Sequence, residues 1–398
     1  MTPIGLRGAP CGVIDEAGIA RLDAYKDPIA WWVAASDKWH DPHQAPSLRQ
    51  RRIDGVPVVE TKLAVPGGDV VQRAFVVADQ GGALVYEFEN RSPSAVIVAV
   101  SMRHASTSAA SAGTTPQGAD LVDGVRAFPL AHASTVRFAW VLERSRWRRK
   151  RSLDVASLAA SDAVVRGWVQ ACDRASRVTM AGNDLRSARC SLLLADARDI
   201  DDLIRTNAAL GVLAVGERVR MGDPVGSWVV SVADAAQRVA RKPAESAWSW
   251  RALSVAAHLL TMADEPDGAS DVVSAWQRSL DRGVVAQSSR AAVAATSLER
   301  SAEFAALTED RLARPVSPLV TRLFADGLRD SRGTNFEAHG IHAGPQHRLS
   351  FALRWHGENA ALLWELDGPP GLQLTAPDVD PQFNATAQQG EALLRMAD

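Results

Sequence analysis

Cysteine is scarce: Cys11, Cys172 and Cys190 are the three in 398 residues, and they lie far apart along the chain. An odd number at wide spacing argues against a disulfide framework and against a CxxC metal site. Long apolar runs are also missing. Stretches such as "AVIVAVSM" at 95–102 fall short of the roughly 18 residues that a membrane-spanning helix needs, so no membrane partner is expected. The start, "MTPIGLRGAPCGVIDEAGIARLD", has no basic segment followed by an apolar stretch, which argues against a secretory signal. A reducing cytoplasm is the expected location. No GxSxG elbow, GxxxxGK[ST] loop or GxGxxG turn occurs, so the usual hydrolase, nucleotide and dinucleotide signatures are absent and no cofactor is expected.

An excess of one charge is missing too: 44 Lys and Arg face 46 Asp and Glu, a net of -2. Against this balance one run stands out. In "RSRWRRKRS" (144–152), Arg144, Arg146, Arg148, Arg149, Lys150 and Arg151 surround Trp147. Nucleic-acid binders spread a basic field over a face, whereas this charge is a local cluster. It also sits where the sequence pattern changes. It is therefore read as a solvated connector whose arginine stems cover nearby apolar surface, and nucleic acid is not the expected partner.

What is present describes a globular protein. Hydrophobic residues make up 46% and charged residues 23%, and the length leaves room for two or three domains of about 100–200 residues. From 53 to 143 the pattern alternates with period two, which reads as short antiparallel strands of a β-sandwich. "PVVETKLAVPGGDVVQRAFVVAD" (57–79) is expected to form one hairpin, turning at "PGGD". "GGALVYEFENRSPSAVIVAV" (81–100) is expected to form another, with Leu84, Tyr86 and Phe88 on one face and a turn at "NRSPS". Asn90-Arg91-Ser92 and Asn384-Ala385-Thr386 match the glycosylation pattern, which carries little weight without a secretory signal.

From 153 to 330 the period becomes helical. Val225, Trp228, Val229, Val232, Ala236 and Val239 form a stripe, with Asp223 as its expected N-cap ahead of Pro224. Similar stripes run to Leu319, Val320, Leu323 and Phe324, for seven or eight helices joined by short breaks, which implies helical hairpins. From 331 to 398 β character returns, with "HRLSFALRWHGENAALLWELDG" (347–368) turning at "HGEN". The expected fold is thus α+β multidomain: an N-terminal extension at 1–52, the β-sandwich at 53–143, the basic linker at 144–152, an α-hairpin domain at 153–330 and a small C-terminal β element at 331–398.

That order, with "VVETKLAVPGGDVVQRAFVV", "GGALVYEFENRSPSAVIVAVS", "FPLAHASTVRFAW" and "LSFALRWHGENAALLWEL" as its segments, resembles six-hairpin glycosidase-type proteins. These join an N-terminal β-sandwich to an (α/α) toroid. The resemblance implies a carbohydrate-related function and a saccharide ligand. A complete toroid of this kind has twelve helices, and the middle zone holds seven or eight, so an incomplete toroid is expected.

Glycoside hydrolysis uses two carboxyls, one to protonate the leaving oxygen and one to activate water or attack the sugar. The candidates are Glu245, ahead of Trp248 and Trp250 as stacking surfaces, and the group Asp264, Glu265 and Asp267. Glu217 and Asp223 are lesser candidates. The competing reading gives Glu245 to a helix dipole, Trp250 to the core and the acids to a solubilised turn. His339, His342, His347 and His356 crowd the C-terminal segment, but without cysteines or ordered carboxylate spacing, and no metal is expected. Three functional readings stand: a catalytically silent scaffold of glycosidase type, an active glycoside hydrolase, and a protein-interaction scaffold.

Overall fold

The computed structural model describes residues 1–101, 105–107, 124–142, 153–180, 182–243, 248–281 and 297–396; the basic run at 144–152 and Glu245 lie outside them. The chain is α+β: antiparallel sheets come first, then eight helices among the described residues, then strands again. It divides into two compact units, Met1–Val169 and Gln170–Asp398.

In the first unit β1 (Thr2–Leu6), β2 (Ala9–Ile14) and β3 (Ala20–Leu22) form a small sheet. A four-stranded sheet follows the order β12-β10-β4-β5, from β4 (Trp31–Ala34), β5 (Trp39–His40), β10 (Val96–Ser101) and β12 (Val125–Leu130). A six-stranded sheet runs β11-β13-β9-β8-β7-β6, from β6 (Arg49–Arg52), β7 (Val59–Val65), β8 (Gly68–Val77), β9 (Ala83–Asn90), β11 (Ala105–Thr107) and β13 (Thr135–Val141). The two larger sheets face each other over one core. Trp31, Val98 and Phe128 of one meet Tyr86, Phe88 and Phe138 of the other, with ring centroids 5.3 Å apart for Trp31–Phe88 and 4.8 Å for Phe128–Phe138. This is a β-sandwich. Residues 1–52, read from the sequence as an extension, supply β1 to β6, and two of those strands belong to the four-stranded sheet.

The hairpin at 57–79 forms as the sequence suggests: β7 pairs with β8 from Val59↔Ala74 to Val65↔Gly68. Pro66 and Gly67 make its turn, and Gly67 takes φ +79°, a conformation glycine adopts without strain. The hairpin expected at 81–100 does not form. Its first strand, β9, lies between β8 and β13, whereas β10 crosses to the opposite sheet. The crossing corner is organised by Asn90, whose amide donates to the carbonyls of Ser94 (2.9 Å) and Leu130 (3.1 Å) while its oxygen accepts from Ser92. Asn90 is fully buried in these bonds, so it is not an exposed glycan acceptor.

Tyr86 ties the chain start into the sandwich. Its hydroxyl accepts from the Ala20 N–H at 2.7 Å and lies 3.0 Å from the Ile29 carbonyl and 3.1 Å from that of Gly18. Tyr86→Phe is expected to cost about 1 kcal/mol, because the Ala20 N–H keeps a contact to the Ile29 carbonyl. A shift of the urea midpoint of that variant checks it.

The eight helices are α1 (Ser161–Asp173), which runs across the division, α2 (Gly182–Leu194), α3 (Ala197–Thr206), α4 (Ala208–Arg220), α5 (Val229–Arg241), α6 (Ser249–Met262), α7 (Pro266–Asp281) and α8 (Leu298–Leu312). From α2 onward they alternate between an inner and an outer layer. Helices α2, α4 and α8 pack on one another, and α6 packs on α4; α3, α5 and α7 pack outside them. Burial follows the sequence: α4 is buried all round from Ala209 to Val219, while α3 buries only Ile200, Leu203 and Ile204. α3 and α4 come so close that a Cβ on Gly211 would fall 2.5 Å from the Ile204 Cα. The stripe Trp228, Val232, Ala236 and Val239 is buried as expected, but α5 begins at Val229 with no side-chain cap. Asp223 instead receives Arg218 Nε at 2.5 Å.

The second unit also carries two sheets. One is β14-β17-β18-β19-β22, from β14 (Arg177–Val178), β17 (Phe336–Gly344), β18 (His347–His356), β19 (Asn359–Asp367) and β22 (Gln389–Leu394). The other is β15-β16-β20-β21, from β15 (Ala313–Ser317), β16 (Val320–Leu323), β20 (Gln373–Ala376) and β21 (Asp380–Ala385). The "HGEN" hairpin closes with His356 opposite Asn359. The helix expected through Leu319 to Phe324 is instead a strand pair. Pro315 and Pro318 lack the N–H a helix needs, and β16 buries alternate residues, Thr321 and Leu323. Among the described residues no helix is long and apolar enough to cross a membrane.

Candidate functional site

Asp264, Glu265 and Asp267 are exposed at the turn from α6 to α7. Asp264 has a structural role there. It sits at φ +60° just past the end of α6, and its N–H reaches the Thr261 carbonyl while that of Glu265 reaches the Leu260 carbonyl. This is the left-handed termination that usually takes glycine. Asp264→Gly is therefore expected to hold or raise stability, by up to about 1 kcal/mol, checked by its melting temperature. Trp248 and Trp250 are buried at the other end of α6, and the Trp248 indole donates to Glu303 at 3.3 Å. A helix rises about 1.5 Å per residue, so about 20 Å of α6 separates Trp250 from Asp264. The turn acids and the tryptophans do not share a site.

The inner helices carry a cluster that sequence reading did not assemble. Arg189 of α2 reaches Glu217 of α4 at 2.7 Å and Glu309 of α8 at 3.0 Å. Arg220 of α4 contacts both carboxylates at 2.8 Å. Arg251 of α6 reaches Glu309 at 3.2 Å and Asp310 at 3.3 Å, and Arg314 holds the other Asp310 oxygen at 2.7 Å. Glu309 also accepts from the Ser176 hydroxyl at 2.6 Å and the His342 N–H at 3.2 Å. Burial alone would raise its pKa, but Arg220, Arg189 and Arg251 together hold it well below the usual carboxylate range.

Two histidines complete this interior. The His258 ring donates from Nδ1 to the Pro345 carbonyl at 2.9 Å, and His342 Nε2 pairs with the Ser254 hydroxyl at 2.9 Å. Burial drives His258 down to about 4 and His342 well below its ordinary value, so both are neutral near pH 7. The cavity among Glu217, Arg220, Arg251, His258 and His342 measures about 20 Å³. That holds about one water, not a sugar ring. Burial raises the Asp310 pKa against the pull of Arg251 and Arg314, but both oxygens of Glu217, Glu309 and Asp310 are engaged by arginines, whereas a base needs a free lone pair and an acid needs reach to the leaving oxygen. Among the described residues no three His, Cys, Asp or Glu side chains are placed to hold a metal ion.

A larger space lies on the outer face of the six-stranded sheet. The strand register brings Arg51, Glu60, Arg73, Glu87 and Arg137 into one row of alternating charge across β6, β7, β8, β9 and β13. Arg51 meets Glu60 at 2.9 Å, Arg73 meets Glu60 at 3.4 Å and Glu87 at 3.2 Å, and Arg137 meets Glu87 at 2.8 Å. Ser161 donates to Glu87 at 2.9 Å. Burial pushes Glu60 up, but Arg51, Lys62 and Arg73 outweigh it and leave its pKa lowered. Beside the row, the hydrogen bond from Arg91, with help from Arg73, holds Glu89 at about 2 despite some burial. The groove over this row has a volume of about 640 Å³, within the range of small-ligand sites, and Arg91, Asp162 and Arg166 stand along it.

No known protein family matches the sequence. No curated protein matches it either. Among solved structures the chain is similar to a bacterial glucoamylase complexed with acarbose, at 8% identity and a TM-score of 0.30, over 69% of this chain and 64% of that one. A likeness of that size establishes neither a family nor an activity.

Proposed function

We propose that the protein is a carbohydrate-related scaffold of glycosidase type that binds a saccharide without cleaving it. The observation that carries this reading is the pairing of the three buried helical carboxylates, Glu217, Glu309 and Asp310, with arginines around a cavity of about 20 Å³. The order of sequence zones supports the carbohydrate part. The saccharide is assigned to the groove over the Arg51–Arg137 row. Its lining sets four arginines, Arg51, Arg73, Arg91 and Arg166, against four acids, Asp54, Glu60, Glu87 and Asp162, a balance that suits a neutral ligand rich in hydroxyls. Guanidinium groups donate to such hydroxyls and carboxylates accept from them, and the ion pairs fix both in advance.

A glycan array probed with the full-length protein tests this. At least one neutral glycan is expected to be retained, with about tenfold or greater weakening in Arg73→Met, the loss of one charge-assisted hydrogen bond. Arg166→Ala, which leaves the row intact, controls for folding and is expected to weaken binding less. Retention of no glycan, or retention indifferent to both changes, would contradict the proposal. Turnover by Glu245, Asp264, Glu265 or Asp267 is the competing reading, and hydrolysis abolished in Glu245→Gln or Asp264→Asn would favour it.

A further inference from the structure

The sequence places Cys172 and Cys190 in separate helices, 18 residues apart, yet the fold brings their sulfurs to 3.5 Å. Cys172 lies in the last turn of α1 and Cys190 in the middle of α2, and both are thiols buried to within 1% of complete. The surrounding contacts fix the register of the two helices. Arg186 of α2 pairs with Asp173 of α1 at 3.2 Å, and Arg189 donates to the Cys172 carbonyl at 3.4 Å while also gripping Ser176. The sulfurs therefore face each other between two bonds that link the same helices.

We propose that Cys172 and Cys190 are a redox modification site that closes to a reversible intrachain disulfide, with a small-molecule disulfide as oxidant. A disulfide places its sulfurs about 2.05 Å apart, so each closes less than 1 Å of the gap, within reach of a side-chain torsion. The exchange balances in two steps. One thiol loses its proton, and the thiolate attacks the small disulfide, forming a mixed disulfide and expelling one thiolate. The second cysteine, also as thiolate, then displaces the remaining small thiol, so two cysteine thiols are oxidised and one external disulfide is reduced to two thiols. Burial means that attack occurs from an opened state, so the reaction is slow in the native protein. Cys11, half-buried on β2 in the first unit with its thiol pushed up to about 12 by burial and by Asp23, takes no part.

The test uses the full-length protein in glutathione buffers of graded ratio, held until the pattern stops changing, then acid-quenched, alkylated in denaturant, digested and weighed. The expected product in oxidising buffer is a peptide pair joined through Cys172 and Cys190, two hydrogens lighter than its reduced parts, with Cys11 still separate. It should form equally in Cys11→Ser. Oxidation should also raise the urea midpoint of the wild type and of Cys11→Ser but not of Cys172→Ser. A cross-link through Cys11, separate glutathione adducts on Cys172 and Cys190, or three alkylated cysteines at the most oxidising ratio would each overturn the proposal.

Discussion

Glu309→Gln is expected to destabilise the helical unit by about 3–5 kcal/mol, the usual result of leaving buried charge without its partner. Glu309 is 1% exposed and receives Arg189, Arg220 and Arg251. Glutamine keeps the shape but withdraws the negative charge, so the three guanidinium groups are left with Glu217 and Asp310 as their remaining buried carboxylates. The exposed pair Arg166–Asp162, 2.7 Å apart with both side chains more than 60% exposed, sets the contrast. Removing it should leave stability almost unchanged, because solvent screens an exposed pair. Urea unfolding followed by the helical circular dichroism signal measures both. Equal effects would mean that the interior cluster does not hold the helices together.

The second large effect is a loss of stability on mild acidification, centred on His258. Its ordinary value is 6.5 and burial holds it at about 4, with Arg348 and Arg220 adding to that effect and the Pro345 carbonyl opposing it. In this window the unfolded chain binds a proton that the folded chain refuses. Stability therefore falls as pH drops from about 6.5 to about 4 and levels off below, a change of about 3 kcal/mol for this group alone. His342, lowered in the same direction by burial, adds to the loss. Glu89 acts later: its folded value is about 2 against an ordinary 4.5, so its contribution is full above 4.5 and disappears as pH falls toward 2. A pH series of unfolding free energies should steepen between 6.5 and 4, and His258→Phe should flatten that segment. A flat profile in that range would show that the histidines are not held neutral.

These effects come from groups that sequence periodicity only partly exposes. Period-two and helical stripes located the zones, and hairpins whose strands pair locally, at 57–79 and 347–368, were legible because their turns sit between matched alternating runs. The corner at Asn90 was not legible. A polar link of the same length serves a hairpin or a crossing between sheets, and the choice depends on Asn90 reaching Leu130, 40 residues away. The β15–β16 pair escapes periodicity because Leu319, Val320, Leu323 and Phe324 also fit a helix, and Pro315 and Pro318 decide against it.

The candidate sites divide in the same way. Glu217 lies on the apolar stripe of α4 with Leu210 and Leu213, and Glu309 falls in line with Ala302, Ala305 and Ala306 on α8. A charge on an apolar stripe was the available signal. Apart from Arg220, three residues beyond Glu217 on α4, the arginine partners of Glu217 and Glu309 come from other helices, so sequence alone could not pair them. The sandwich row depends on strand register, and the Cys172–Cys190 contact on how α1 and α2 pack; neither is written locally.

With the inner carboxylates given over to structure, a saccharide bound by this protein is held rather than cleaved. Incubating the full-length protein with the neutral glycans it retains, and measuring newly freed reducing ends against buffer alone, tests it most directly. Retention with no release above the buffer control is expected; sugar release that co-purifies with the protein would mean that a carboxylate of this chain cleaves the glycan.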